Sequence, residues 1–279
     1  MNTEEKVYRT AKGDVHYWLT YDAEDQSRKW MVFLPGLTAE HHLFDAQIAY
    51  FQKDYNCLTW DAPAHGESRP YQLDFTLEEV TYVLHDILSR EGIVFPIMIG
   101  QSYGGYITQM YVSLFPMSVQ AFVSVDSCSL KRKYNANWMI ASLKHTEWMY
   151  RLIPWKLLVP WSLSIATSAA GKQNYKEAIM AYPKAEFCKL CGRGFASVAE
   201  AMEQERDYTM DCPVLLLCGS KDAAGYTKKL NQAWSKGEGY RLVWVEGAGH
   251  NSNIDSPEVV NSFIEDFVNR VLGNDGLEK

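Results

Sequence analysis

Residues 97–105 read Ile97-Met98-Ile99-Gly100-Gln101-Ser102-Tyr103-Gly104-Gly105. An apolar run of strand type ends in G-x-S-x-G, and a helical pattern begins at once. A serine on so sharp a strand-to-helix turn sits in strained backbone geometry. Side chains two residues to either side would collide, and glycine removes them. The following helix aims its free N–H groups and positive dipole end at the serine. Glycine and serine are common, so the five-residue pattern gains its weight from this setting. Ser102 is the candidate nucleophile.

Working outward, apolar runs at 14–21, 30–34, 55–60, 94–99, 121–125, 214–218 and 241–245 read as strands, with 14–21 as an outer one. Helical patterns lie between them. Residues 43–51 put Phe44, Ile48 and Phe51 on one face. Residues 76–88 open with Thr76-x-x-Glu79, a capping box. Residues 103–115 stop before Pro116. The last helix opens at Ser256-Pro257 and repeats Val259, Phe263, Phe267 and Val271. Alternating strand and helix predicts an α/β fold, with a mostly parallel central sheet flanked by helices. The alternation stops between residues 127 and 211, which hold four of the nine tryptophans and no clear strand. This stretch is expected to be a helical insertion, and 1–126 with 212–279 to form the core.

The chain has 279 residues, 47% of them hydrophobic, enough for one domain with a full core. Its formal net charge of -7 argues against a nucleic-acid partner, which selects a basic face. No apolar run is long enough to span a membrane, and the start, MNTEEKVYRT, is unlike a signal peptide. Stable membrane insertion is therefore not expected, and the expected location is cytoplasmic. Of the six cysteines, Cys57, Cys212 and Cys218 lie in or beside strand runs, as small core residues do. Cys188 and Cys191 form a lone CxxC without the second pair or the histidines that zinc selects. No metal is expected.

A serine hydroxyl needs an adjacent base. Of seven histidines, only His250 lies between the final strand and the final helix, in Glu246-Gly247-Ala248-Gly249-His250. The base needs an acid to fix its tautomer. Asp222 follows a strand and a glycine turn, Gly219-Ser220-Lys221-Asp222, in the chain order Ser, Asp, His. Asp126, after the strand 121–125, is its rival. An oxyanion needs N–H donors. Tyr103 follows the nucleophile, and Leu37 lies in the loop Leu34-Pro35-Gly36-Leu37, where Gly36 permits the turn.

Together these segments resemble the α/β-hydrolase superfamily over the whole chain except the insertion. Leu34–Leu37 is similar to the family's oxyanion loop, with Pro35 where histidine is usual. Asp61-Ala62-Pro63-Ala64-His65-Gly66-Glu67-Ser68 looks like its D-x-P-G-H-G-x-S segment, with Ala64 in place of glycine. The resemblance implies a structural role for His65 and no cofactor. It implies a lid at the insertion. Members that act on epoxides or haloalkanes use an aspartate nucleophile, and position 102 is serine. The resulting expectation is a serine hydrolase acting on an ester or lactone of a small, largely apolar molecule. Hydrolysis of C–C bonds, cleavage near a terminal proline and perhydrolysis are alternatives on the same residues; a small-molecule receptor with little turnover is the alternative of another class. Trp138, Trp148, Trp155 and Trp161 either line an apolar pocket or pack the insertion onto the core. The basic residues Lys131, Arg132, Lys133, Lys144, Arg151 and Lys156 are expected to be solvated. A membrane-surface reading of 148–161 is weakened by Pro154 and Pro160.

Overall fold

The computed structural model describes residues 1–25 and 27–274. Eight strands form one sheet: β1 (Asn2–Thr10), β2 (Gly13–Tyr21), β3 (Trp30–Leu34), β4 (Asn56–Trp60), β5 (Ile97–Gln101), β6 (Ala121–Val125), β7 (Val214–Gly219) and β8 (Arg241–Val245). Their order is β1-β2-β4-β3-β5-β6-β7-β8. β1, β2 and β4 pair antiparallel, and every pairing from β4 through β8 is parallel. Helices α1 (Asp45–Phe51), α2 (Leu77–Arg90) and α3 (Tyr103–Leu114) separate the early strands. α4 (Asn137–Lys144), α5 (Thr146–Leu152), α6 (Trp155–Leu163), α7 (Ala169–Met180) and α8 (Lys184–Glu203) follow one another between β6 and β7. α9 (Thr227–Glu238), α10 (Ser252–Asp255) and α11 (Pro257–Asn274) complete the chain.

The central strands are buried on both faces, which is why they read as unbroken apolar runs. Val32 and Leu34 of β3 join the core on one face, with α2, α3 and α8. Met31 and Phe33 join the other, with α1 and α11. The capping box of α2 is present: Glu79 N–H donates to Thr76 Oγ1 at 3.1 Å, and Thr76 N–H donates to Glu79 Oε2 at 2.8 Å.

Four local expectations need correction. β1 lies outside β2, so residues 14–21 are not the edge. NTEEKVYRT exposes most of its side chains and has no apolar face to betray a strand; such charge on an edge discourages pairing with another chain. Strand β5 starts at Ile97 rather than 94, because Val94 and Phe95 are exposed and Phe95 has φ +53°. The core stripe of α11 is Val260, Ile264 and Val268, one residue along from the expected repeat, and Val259 is exposed. Finally, Trp138, Trp148 and Trp161 face outward. Of the four tryptophans, Trp155 packs inward, on Phe187, where Ile140 and Leu158 also fill the inner side.

Candidate active site

Strand β5 delivers Ser102 at its carboxyl end, where α3 begins. Ser102 adopts φ +48° and ψ -110°, a region that side chains rarely enter. The surroundings hold it there: its N–H donates to Val125 O at 2.9 Å, and Ser127 Oγ donates to its carbonyl at 2.7 Å. A Cβ on Gly100 would stand 2.5 Å from Gly104 O, and one on Gly104 would stand 2.6 Å from the carbonyl carbon of Leu34. Glycine at these positions therefore lets the turn close and lets α3 lie against β3.

The loop after β8 brings His250 to this turn, with Gly247 at φ +78°. His250 Nε2 lies 3.0 Å from Ser102 Oγ, and its Nδ1 lies 2.8 Å from Asp222 Oδ2. This arrangement assigns the proton to Nδ1, donated to Asp222, and leaves Nε2 free to accept from the hydroxyl. Asp222 is also fixed by the N–H of Ala224, 2.8 Å from its other oxygen. Gln101 Nε2 donates to His250 O at 2.7 Å, a contact that sequence gave no reason to expect.

Asp126 is buried beside this group but does not take the histidine's hydrogen bond. Its two oxygens accept the N–H groups of Gly219 and Ser252, each at 2.8 Å. One carboxylate thus joins the end of β7 to the helix after His250. Burial, and then the charge of Asp222, push its pKa up. Burial works against an imidazolium at His250; the charge and hydrogen bond of Asp222, aided by the charge of Asp126, outweigh it and hold the pKa above the ordinary 6.5.

Tyr103 follows Ser102 directly, and Leu37 follows Gly36 in the loop after β3. Gly36 brings the β3 loop close, since a Cβ there would stand 3.3 Å from the Cβ of Ser102. The N–H groups of Leu37 and Tyr103 meet no acceptor among the described residues, as expected for a helix's first turn in the case of Tyr103. Helix α8 covers both: a Cβ on Gly194 would stand 3.2 Å from Leu37 Cγ, and Tyr103 Oη lies 3.1 Å from Ser197 Oγ.

Sequence reasoning missed Asp255, five residues after His250. Its carboxylate accepts from Thr167 N–H at 3.0 Å, Thr167 Oγ1 at 2.9 Å, Ser168 N–H at 2.9 Å, Ser168 Oγ at 2.6 Å and Gly249 N–H at 2.8 Å. Burial opposes its charge, but these donors prevail and its pKa is lowered. Asp-Ser-Pro before a helix looked like ordinary capping, so nothing local flagged the residue.

His65 is fully buried, with Nδ1 3.0 Å from Pro63 O, and burial pushes its pKa down. Ala64 sits at φ +71°, which explains why glycine suits that position. All six cysteines are free and buried. Cys188 and Cys191 pack into the core from one face of α8, their thiol pKa values raised by burial. Asp126, Cys218 and Asp222 bring ligand-type atoms within 4.8 Å of one another. The carboxylate oxygens already accept N–H groups, and burial pushes the Cys218 thiol up. That donor set suits protein hydrogen bonds better than an ion.

A family model described as alpha/beta hydrolase fold matches residues 29–257. The chain is 21% identical to epoxide hydrolase 1 of Caenorhabditis elegans, over 96% of this chain and 70% of that protein. Among solved structures, the Cif epoxide hydrolase from Acinetobacter nosocomialis superposes with a TM-score of 0.78 at 15% identity, covering 95% of this chain and 88% of the other. The enol-lactonase from Burkholderia xenovorans LB400 gives 0.74 at 18% identity, covering 94% and 99%. These likenesses are of fold.

Proposed function

The chain belongs to the α/β-hydrolase fold family, and from that premise we propose that it is a serine hydrolase cleaving an ester or lactone of a small, largely apolar molecule. The observation that carries the reading is the run of contacts from Asp222 to His250 to Ser102, at 2.8 and 3.0 Å. Ser102 Oγ attacks the carbonyl carbon while His250 Nε2 takes its proton. The negative oxygen is held by the N–H groups of Leu37 and Tyr103. As the intermediate collapses, the C–O bond to the alcohol breaks and His250 returns the proton to the departing oxygen. Water, deprotonated by the same imidazole, then releases the acid from Ser102. Asp222 stabilises the imidazolium throughout.

In this reading residues 127–211 act as a lid over the nucleophile. Leu37 and Tyr103, pressed under α8, supply the apolar surround. A hydroxyl at position 102 forms an acyl ester, which suits carboxylic esters and lactones. Labelling with a fluorophosphonate, followed by peptide mass spectrometry, tests the reading. Modification at Ser102, with turnover of p-nitrophenyl esters or acyl lactones, is expected. An unlabelled, folded protein would place it with receptors of this fold.

A further inference from the structure

The two short helices α5 and α6 turn a strongly apolar face to solvent. Trp148 is 63% exposed and Leu152 64%; Leu157 is 57% and Trp161 53%. In each helix the two residues are four apart, so they share one side. The inner sides are occupied: Tyr150 and Trp155 pack on Phe187 of α8, with ring centroids 6.2 and 5.5 Å away. Trp161 makes an edge-to-face contact with Tyr150, ring centroids 5.9 Å apart, so α6 touches α5 at that ring. A soluble domain rarely leaves such a cluster uncovered without use.

The charge of the chain segment that carries this face runs against that of the whole chain. From Trp148 to Lys176 there are four cations, Arg151, Lys156, Lys172 and Lys176, and no carboxylate, although the protein has 34 Asp and Glu. The preceding carboxylate, Glu147, is paired with Arg151 at 2.7 Å. Lys156, next to Leu157 in the chain, is exposed and has no ion pair among the described residues. A second copy docking face to face would bring like charges together. An anionic lipid surface suits both features at once, because indole rings sit at the headgroup level and cations meet the phosphates. Among the described residues no helix is long and apolar enough to cross a membrane, so contact would be with the surface.

We propose that the outer sides of α5 and α6 dock this protein on anionic lipid bilayers, with Trp148 and Trp161 entering the headgroup region and Lys156 meeting the phosphates. This holds whatever bond the site breaks. It also bears on the site, since α6 leads into Ile165, whose carbonyl accepts the N–H of His250.

The test is sedimentation with vesicles of phosphatidylcholine and phosphatidylglycerol in equal parts, against vesicles of phosphatidylcholine alone. The full chain is expected to sediment with the mixed vesicles, less at high salt, and with a blue shift of tryptophan emission. Removing both rings, Trp148→Ala with Trp161→Ala, should weaken binding at least tenfold. Lys156→Gln should weaken it about fivefold. Thermal unfolding of each variant checks that the fold is kept, and the lysine variant stands as the reading if the double variant fails to fold. Equal binding by wild type and Lys156→Gln, or no sedimentation of the wild type, overturns the proposal. So does a wild-type dimer that the tryptophan substitutions dissociate without any vesicle binding, which would assign the face to a second copy.

Discussion

The backbone N–H of His250 donates to the carbonyl of Ile165 at 2.8 Å. The histidine that faces Ser102 is therefore held by the segment between β6 and β7 as well as by its own loop. Asp255 strengthens the link by binding Thr167 and Ser168 on one side and Gly249 on the other. Asn251 Nδ2 adds a bond to Asn174 Oδ1 at 3.1 Å. In the proposed mechanism, the helical segment and the base form one mechanical unit.

Asp255→Ala tests that unit. It strands three backbone N–H groups and two hydroxyls, so a stability loss of about 2–4 kcal/mol is expected. A base displaced by even a fraction of an ångström lowers kcat, here by about ten- to a hundredfold. KM should change little. Steady-state kinetics with chemical denaturation separates the effects; a variant that loses stability but keeps kcat would show that Asp255 only braces the fold.

The pH dependence follows from His250. Its neutral form accepts the proton, and its pKa is held above 6.5 in the folded protein by Asp222 and Asp126 against the effect of burial. Turnover should therefore fall as pH drops through that raised value, with the midpoint of the acid limb above 6.5. The same shift makes the histidine's contribution to stability full below its unfolded pKa and lost as pH rises through the folded one. A kcat profile with its acid midpoint below 6.5 would contradict this.

Asp126→Asn keeps the shape but removes one of the charges that raise His250, so the acid limb should move to lower pH. One of the two N–H groups, of Gly219 or Ser252, loses its acceptor, at a cost of about 1–3 kcal/mol. Rate profiles against pH for both proteins measure the shift. An unmoved limb would leave Asp126 a purely structural clasp.

Gly104→Ala examines the close approach of α3 to β3. The added methyl would stand 2.6 Å from the carbonyl carbon of Leu34 and 2.9 Å from its Cβ. The backbone must move apart, at about 1–3 kcal/mol or more. Thermal unfolding should show a lower midpoint, and a variant as stable as the wild type would mean that helix and strand are not in this contact.

The sequence disclosed the parts of this molecule whose physics is local. Unbroken apolar runs located the buried strands, and glycines around Ser102 and before His250 marked turns that no larger residue fits. What it hid depends on the far side of a contact. β1 has no apolar face, because an edge strand of charged residues needs only its neighbour's backbone. The stripe of α11 slipped by one residue because Val259 and Val260 are equivalent until the sheet chooses between them. Trp155 packs on Phe187, but Trp148 and Trp161 are left exposed, and hydrophobicity alone does not tell which side of a short helix is already covered. Asp255 was invisible because its partners, Thr167 and Ser168, lie almost ninety residues away in the chain.

The most direct measurement is the initial rate of p-nitrophenyl acetate hydrolysis by wild type and by Ser102→Ala, at a pH above the acid limb. If Ser102 forms the acyl ester, the wild type turns the ester over, and the variant, folded as the wild type is, falls by about 10³-fold or more. Hydrolysis by Ser102→Ala at the wild-type rate would mean that the bond is broken elsewhere.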